Sequence, residues 1–172
     1  SVNTKKIVVA TNGFYQEGLV PQMNSRILPV ISNIIVTRKL TKDEIDLHNF
    51  KTFSPIANTK NLLYYYRKLP DNRILFGTRG DFVGSDQSNF NRSKVMEKFL
   101  KNIFPNWTNL TIDYNWRGLI AMSQKLTPSI GKIENEEIYY GFGYHGVGVS
   151  TAPWTGKQLS KLVFSSNSKD LN

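Results

Sequence analysis

Two apolar runs joined by a proline-led turn constrain the fold more than any other feature. Asn61-Leu-Leu-Tyr-Tyr-Tyr-Arg67 and Arg73-Ile-Leu-Phe-Gly-Thr-Arg79 flank Pro70-Asp71-Asn72. Proline presets φ, and Asp and Asn tolerate turn geometry, so the pattern predicts an antiparallel hairpin. Other short runs read as strands at residues 25–37, 110–116, 119–122, 129–133 and 137–143, with Arg117-Gly118 as a break between the second and third of these. Pro29 is expected at an edge or a bulge. Lys5-Lys-Ile-Val-Val-Ala10 is continuous and β-branched, then meets the turn Thr11-Asn12-Gly13. Such a run predicts a strand buried on both faces, as in a parallel sheet, whose neighbours this chain does not supply.

Two principal helices are expected. Between Ser88 and Phe104, Val95, Met96, Phe99, Leu100 and Ile103 recur at helical spacing, and Pro105 stops the run. The second covers about 148–164, where Pro153 is tolerable only near the first turn. Thr41-Lys-Asp-Glu44 has the form of a capping box opening a short helix. The fold class is therefore α+β, with a mostly antiparallel sheet and two principal helices. Trp116 is expected in the core, and His48 on the surface without a partner.

The 172 residues, 40% of them hydrophobic, suffice for a packed core. Cysteine is absent, which excludes disulfides, thiolate metal sites and a cysteine nucleophile. The two histidines, His48 and His145, lie far apart in sequence, so no metal site is expected. The net charge of +9 is shared evenly by the two halves of the chain. That pattern reads as a solvated surface, and nucleic acid is not expected as a partner. No apolar run reaches membrane-spanning length. The opening residues do not read as a leader, so a cytoplasmic location is expected.

The motif with chemical content is Gly141-Phe-Gly143-Tyr-His-Gly146, which matches G-x-G-x-x-G between a strand and a helix. A dinucleotide fold needs a second strand with an acid about 20 residues on, and the chain has no room for one. A weaker reading survives. A glycine-rich turn lets a ligand approach the backbone and aims helix N–H groups at negative charge. Close strand–helix packing alone would also explain it.

Four blocks of sequence together resemble the C-terminal part of the FAD-dependent oxidoreductases of the D-amino-acid-oxidase type, nearest the γ-glutamylputrescine oxidase and glycine oxidase branch. They are Ile7-Val-Val-Ala-Thr-Asn-Gly13; Tyr65-Tyr-Arg67 through Pro70-Asp-Asn-Arg73-Ile-Leu-Phe-Gly77-Thr-Arg79; Trp116-Arg-Gly118-Leu-Ile-Ala121 with Pro128-Ser-Ile-Gly131; and Tyr139-Tyr-Gly-Phe-Gly-Tyr-His-Gly146-Val-Gly148 with Ala152-Pro153, Gly156 and Leu159. Members of that family are usually more than twice this length, and they open with a dinucleotide-binding unit absent here. The resemblance implies a C-terminal piece. Residues 1–24 would be a residual strand and turn of the FAD domain, and 25–122 the substrate-binding domain. Residues 123–164 would return to the FAD domain with its last helix, and 165–172 form a polar tail.

Carried over, the resemblance implies FAD in the complete protein, contacted by Thr11, Asn12, Gly13, Gly143, Tyr144, His145, Gly146, Val147 and Gly148, and not held by this chain alone. In relatives an amine gives a hydride to the flavin, and water hydrolyses the resulting imine. Arg79 and Arg117 become candidates for gripping a substrate carboxylate, or for ordinary ion pairs. Tyr65 faces opposite to Tyr64 and Tyr66, so it could line a substrate pocket or pack. His145 could touch the flavin edge, move a proton, or do neither. No catalytic residue is assigned. Relatives commonly carry Thr-Pro-Asp where this chain has Ser123-Gln124-Lys125. The expected partners are the missing N-terminal FAD-binding part, a small amine or amino acid, and further copies of the chain. The chain is expected to be inactive alone. The competing reading is a non-enzymatic binding module that kept the fold.

Overall fold

The computed structural model describes residues 1–60 and 63–164. Asn61 and Leu62, assigned from sequence to the hairpin, and the tail 165–172 lie outside the described residues. The chain runs β1 (Ile7–Val9), β2 (Leu28–Thr37), α1 (Lys42–Leu47), β3 (Ile56–Ala57), β4 (Tyr64–Lys68), β5 (Ile74–Asp81), α2 (Asp86–Ile103), β6 (Ile112–Met122), β7 (Ser129–Lys132), β8 (Ile138–Phe142) and α3 (Gly148–Phe164). It divides into two compact units, Ile31–Gly118 and Ser1–Val30 with the segment from Leu119 onward. All pairings within the two sheets whose direction is defined are antiparallel except β1 with β8.

The unit Ile31–Gly118 is built on a five-stranded sheet in the order β3-β4-β5-β2-β6. The hairpin forms as its sequence predicts. Tyr64 to Lys68 pair with Thr78 to Ile74, and Asn72 takes φ +65° in the connecting turn. One face of this sheet carries Ile35, Ile74 and Phe76, all fully buried beneath Met96 and Leu100 of α2. Tyr64 stacks on Phe99 with ring centroids 4.2 Å apart. Burying each such side chain contributes roughly 1.5–3 kcal/mol. Val95, expected on the apolar face of α2, is 52% exposed. The register of the helix instead presents Met96, Phe99, Leu100 and Ile103 to the core.

The expected tryptophan is the wrong one. Trp116 is 45% exposed, while Trp107 is fully buried and donates Nε1–H to the Glu44 carbonyl at 2.8 Å. The short stretch after α2 folds Trp107 onto Phe104, with ring centroids 4.0 Å apart. His48 is not a free surface residue either. It packs edge-on against Phe104 and Trp107 at centroid distances of 5.3 and 5.2 Å. Lys68 is likewise buried, its ammonium donating to the Phe50 and Lys51 carbonyls and lying 4.4 Å from the Phe53 ring.

In the other unit, β1, β8 and β7 form a three-stranded sheet in that order. β1 pairs parallel with β8, Ile7 opposite Ile138 and Val9 opposite Tyr140. Val9, Val20, Met23, Ile133 and Phe142 make its core. β1 is not buried on both faces. It is an edge strand, and Ile7 and Val8 are each 48% exposed, whereas Val9 is covered.

Two local expectations fail for physical reasons. β6 is one continuous strand through Arg117 and Gly118, because Gly118 does not take a left-handed φ and keeps the extended course. α3 runs through Pro153, which stands just beyond its first turn. The backbone bond that proline forfeits would go to Val149, which is 97% exposed, so water can serve that carbonyl. The strand expected from residue 25 begins at Leu28, and its irregularity falls at Ile31/Ser32, two residues after Pro29.

The capping box at Thr41 is present with both halves made. Glu44 also takes a bidentate pair from Arg38, with Nη2 and Nη1 at 2.6 and 2.9 Å. The Arg38 hydrogen bonds, aided by the Thr41 backbone N–H, hold the Glu44 carboxyl at about 2. A depressed carboxylate stabilises fully above its unfolded value near 4.3 and loses that contribution as pH falls through the folded value. Glu44→Gln should therefore cost about 1–2 kcal/mol in urea unfolding at pH 7 and little at pH 2. An equal deficit at both pH values would contradict this. A second expectation concerns Gly77, where a Cβ would lie 2.2 Å from Cζ of Tyr65. Gly77→Ala should cost about 1–3 kcal/mol, and most of that should vanish in a Tyr65→Ala background, as a double-mutant cycle would read.

Candidate functional site

Two sets of residues carry the chemistry expected from sequence, one in each unit. The first is the turn between β8 and α3. Gly143 and Gly146 both take φ +82°, and His145 between them takes φ +53°. Asn12 anchors this turn from the other end of the chain. Its Oδ1 accepts from the Gly143 N–H at 3.0 Å across 131 residues of sequence. The parallel pairing of β1 and β8 places Asn12 there. Gly13 is buried and closely packed, since a Cβ would lie 3.2 Å from Cβ of Leu119. Thr11 is exposed and its carbonyl accepts from the Phe14 N–H.

Within the turn the members face different ways. Tyr144 leans on α3, with its Cβ 3.5 Å from where a Gly148 Cβ would be and its hydroxyl 3.8 Å from where a Gly141 Cβ would be. Burial pushes its phenol up. Tyr144 is thus a strut between turn and helix. Gly146 and Val147 are exposed, and Val147 offers its carbonyl to Ser150 Oγ and Thr151 Oγ1 at 2.9 and 3.0 Å. No acidic residue stands in the first turn of α3. The Ser150 and Thr151 N–H groups return to the Val147 carbonyl, and the Gly148 and Val149 N–H groups at the helix start are the ones that could serve a ligand.

Ser123, which sequence reasoning did not single out as a site residue, closes the turn from beneath. It is buried, its hydroxyl donates to the Thr127 carbonyl at 3.0 Å, and it lies 3.1 Å from His145 Nε2. A Cβ on Gly143 would approach Ser123 Cβ at 3.3 Å, so glycine is required there by both φ and space. The His145 backbone N–H donates to the Ala121 carbonyl at 3.1 Å. His145 Nδ1 is shielded from water and has no hydrogen-bond partner among the described residues. The signal for Ser123 was in the sequence, as a hydroxyl at the position where the resembling family carries threonine.

The second set lies on the sheet face of the unit Ile31–Gly118 that is opposite Phe76. Tyr65 pairs with Gly77 and Ser32 with Arg79, and Gly77 and Arg79 are two apart on β5, so their side-chain directions coincide. The Tyr65 ring occupies the space above Gly77 and its hydroxyl lies 3.3 Å from Ser32 Oγ. Arg79 has a shielded Nε with no partner among the described residues, and no carboxylate pairs with it there. Arg117 is different. Its guanidinium donates to Asp86 at 2.9 Å and to the Ser85 carbonyl at 3.2 Å, tying β6 to the start of α2. Among the described residues no cluster of three or more His, Asp or Glu could hold a metal ion, and no helix is long and apolar enough to cross a membrane.

The geometry of the β8–α3 turn fits a flavin-type cofactor. Left-handed glycines, an exposed rim at Gly146 and Val147 and a helix start without an acid leave backbone open to a polar or anionic edge, while Gly143 itself is buried against Ser123.

Comparison with known proteins gives the family. A family profile described as FAD dependent oxidoreductase matches residues 1–162. The chain is 31% identical over 166 residues to a probable oxidoreductase, OrdL, of Haemophilus influenzae, covering 95% of this chain and 37% of that protein. It is 30% identical over 162 residues to the gamma-glutamylputrescine oxidoreductase of Escherichia coli, covering 94% and 37%. Among solved structures it is similar to glycine oxidase from Bacillus cereus, with TM-score 0.69, 18% identity and coverage of 94% and 43%. It is also similar to L-proline dehydrogenase from P. horikoshii, with TM-score 0.68, 20% identity and coverage of 95% and 44%. The chain thus spans well under half the length of the relatives it matches. With its fold, its glycine turn and a match over nearly its whole length, the chain belongs to the D-amino-acid-oxidase-type family of FAD-dependent oxidoreductases.

Proposed function

We propose that this chain carries part of the cofactor site and part of the substrate site of a flavin-dependent oxidoreductase that oxidises an amine or amino acid. The observation that carries the reading is the β8–α3 turn, pinned by Asn12 at Gly143 and exposed at Gly146 and Val147. When bound, FAD supplies the two-electron acceptor, and the protein positions and tunes. The N–H groups at the start of α3 stabilise negative charge beside the turn, by about 0.3–1 kcal/mol when exposed and up to about 2 when partly buried. Asn12, Gly13 and Tyr144 act by holding the turn in shape, and Gly146, Val147 and Gly148 by presenting backbone.

Arg79 is the residue to receive a substrate carboxylate. Its guanidinium has no ion-pair partner among the described residues, and the Tyr65–Ser32 hydroxyl pair lies on the same face. Arg117 already has a carboxylate. An unpaired guanidinium fork suits a carboxylate bidentately, which favours amino acids or amines that bear one. A further FAD-binding portion would cover the exposed edge of β1, because a parallel edge strand with half-exposed Ile7 and Val8 invites another strand.

Two outcomes follow for the 172-residue chain itself. Mixed with FAD and freed of excess ligand, it should emerge colourless and oxidise no amine or amino acid. A stoichiometric flavin spectrum with turnover would overturn that part. Light scattering should show association that rises with concentration through the β1 edge, and Val8→Lys should reduce it. A monomer unchanged up to high concentration would count against the exposed edge as a docking face.

A further inference from the structure

We propose that Ser123 is a positioning residue that fixes the proton of His145 on Nε2. The argument is one of counting protons. A serine hydroxyl has a single hydrogen, and the Thr127 carbonyl can only accept, so at 3.0 Å the Ser123 hydrogen is committed to Thr127. The contact of 3.1 Å between Ser123 Oγ and His145 Nε2 is then a hydrogen bond only if Nε2 carries the proton and donates. The neutral ring is thereby the Nε2–H tautomer, and Nδ1 holds a lone pair.

Three further observations make this a built arrangement. Ser123 is 9% exposed, so water does not compete for its hydroxyl. Gly143 packs beside the hydroxyl, where a Cβ would sit 3.4 Å from Ser123 Oγ. The imidazole is carried on a backbone with φ +53° whose N–H is tied to Ala121, so the ring has few alternative positions. Nδ1 is shielded and has no donor among the described residues. A buried acceptor left unmatched is costly, so the lone pair is held ready for a donor brought by a ligand that reorganises the turn. Only this last consequence rests on the cofactor reading; the tautomer does not.

The test is nitrogen-15 NMR of the imidazole rings in the 172-residue chain, in alkaline buffer where imidazoles are neutral. With two histidines in the sequence the spectrum is simple, and each ring is assigned through its own Cβ. His145 should show Nε2 protonated, with the other tautomer on the order of tenfold less populated. Ser123→Ala should let the ratio fall to the modest intrinsic Nε2–H preference of a free neutral side chain while the amide spectrum stays folded, and Ser123→Thr should restore the stronger bias. An Nδ1–H ring in the unmodified chain, or an unchanged ratio in folded Ser123→Ala, would overturn the proposal. If the Ser123→Ala chain fails to fold, Ser123→Gly removes the same hydroxyl and is read by the same two outcomes. Adding millimolar FAD separates the two claims. A Ser123-dependent tautomer with no flavin response supports the proposal and removes the cofactor reading. A flavin response with a Ser123-independent tautomer overturns the proposal alone.

Discussion

The parallel pairing of β1 with β8 is the constraint on which the candidate cofactor site depends. Three residues, Ile7 to Val9, lie beside Ile138 to Tyr140 and so bring Asn12 within hydrogen-bonding reach of Gly143. Without that pairing the glycine turn would have no anchor from the far end of the sequence. Parallel strands need a long connection, and here the whole antiparallel unit lies between them in sequence. A site assembled from residues this distant is lost as a whole when the pairing is lost. For that reason the bond from Gly143 to Asn12 matters more than its own net worth of about 0.5–1.5 kcal/mol.

The unit Ile31–Gly118 solves a different problem. A sheet packed on one face by a helix has a second face free for other uses. Phe76, Ile74 and Ile35 are spent on the core, and the alternate positions Tyr65, Gly77 and Arg79 carry a ring, a gap for that ring and a guanidinium whose Nε has no partner among the described residues. The alternation of the strand gives its two faces different neighbours. Tyr64 and Tyr66 hold the aromatic core while Tyr65, between them, points the other way.

Much of this was legible in the sequence because it is local. The hairpin, the capping box at Thr41 and α2 follow from turn chemistry, caps and helical spacing, which act over a few residues. The glycine turn was legible as well, though its anchor was not. What escaped depends on distant contacts. Trp107 rather than Trp116 is buried because the segment after α2 folds back onto Glu44, a partner 63 residues away. His48 is covered by those same aromatic rings. Ile7 and Val8 looked like the interior of a sheet, and within this chain they are its edge, since strand composition reports the environment a strand suits and not the neighbours it has. Ser123 was visible only as a departure from a motif. Its meaning lies in a hydroxyl that touches a turn 22 residues on.

The central claim is that the turn from Gly143 to Val149, with Asn12 and Gly13, is where flavin meets this chain. Weak contact is enough to test it, through amide chemical-shift mapping of the labelled chain at millimolar FAD. The account predicts shifts concentrated at Asn12, Gly13 and Gly143 to Val149. A silent turn, with shifts scattered over the lysine-bearing surface or confined to the Ile31–Gly118 unit, would contradict it.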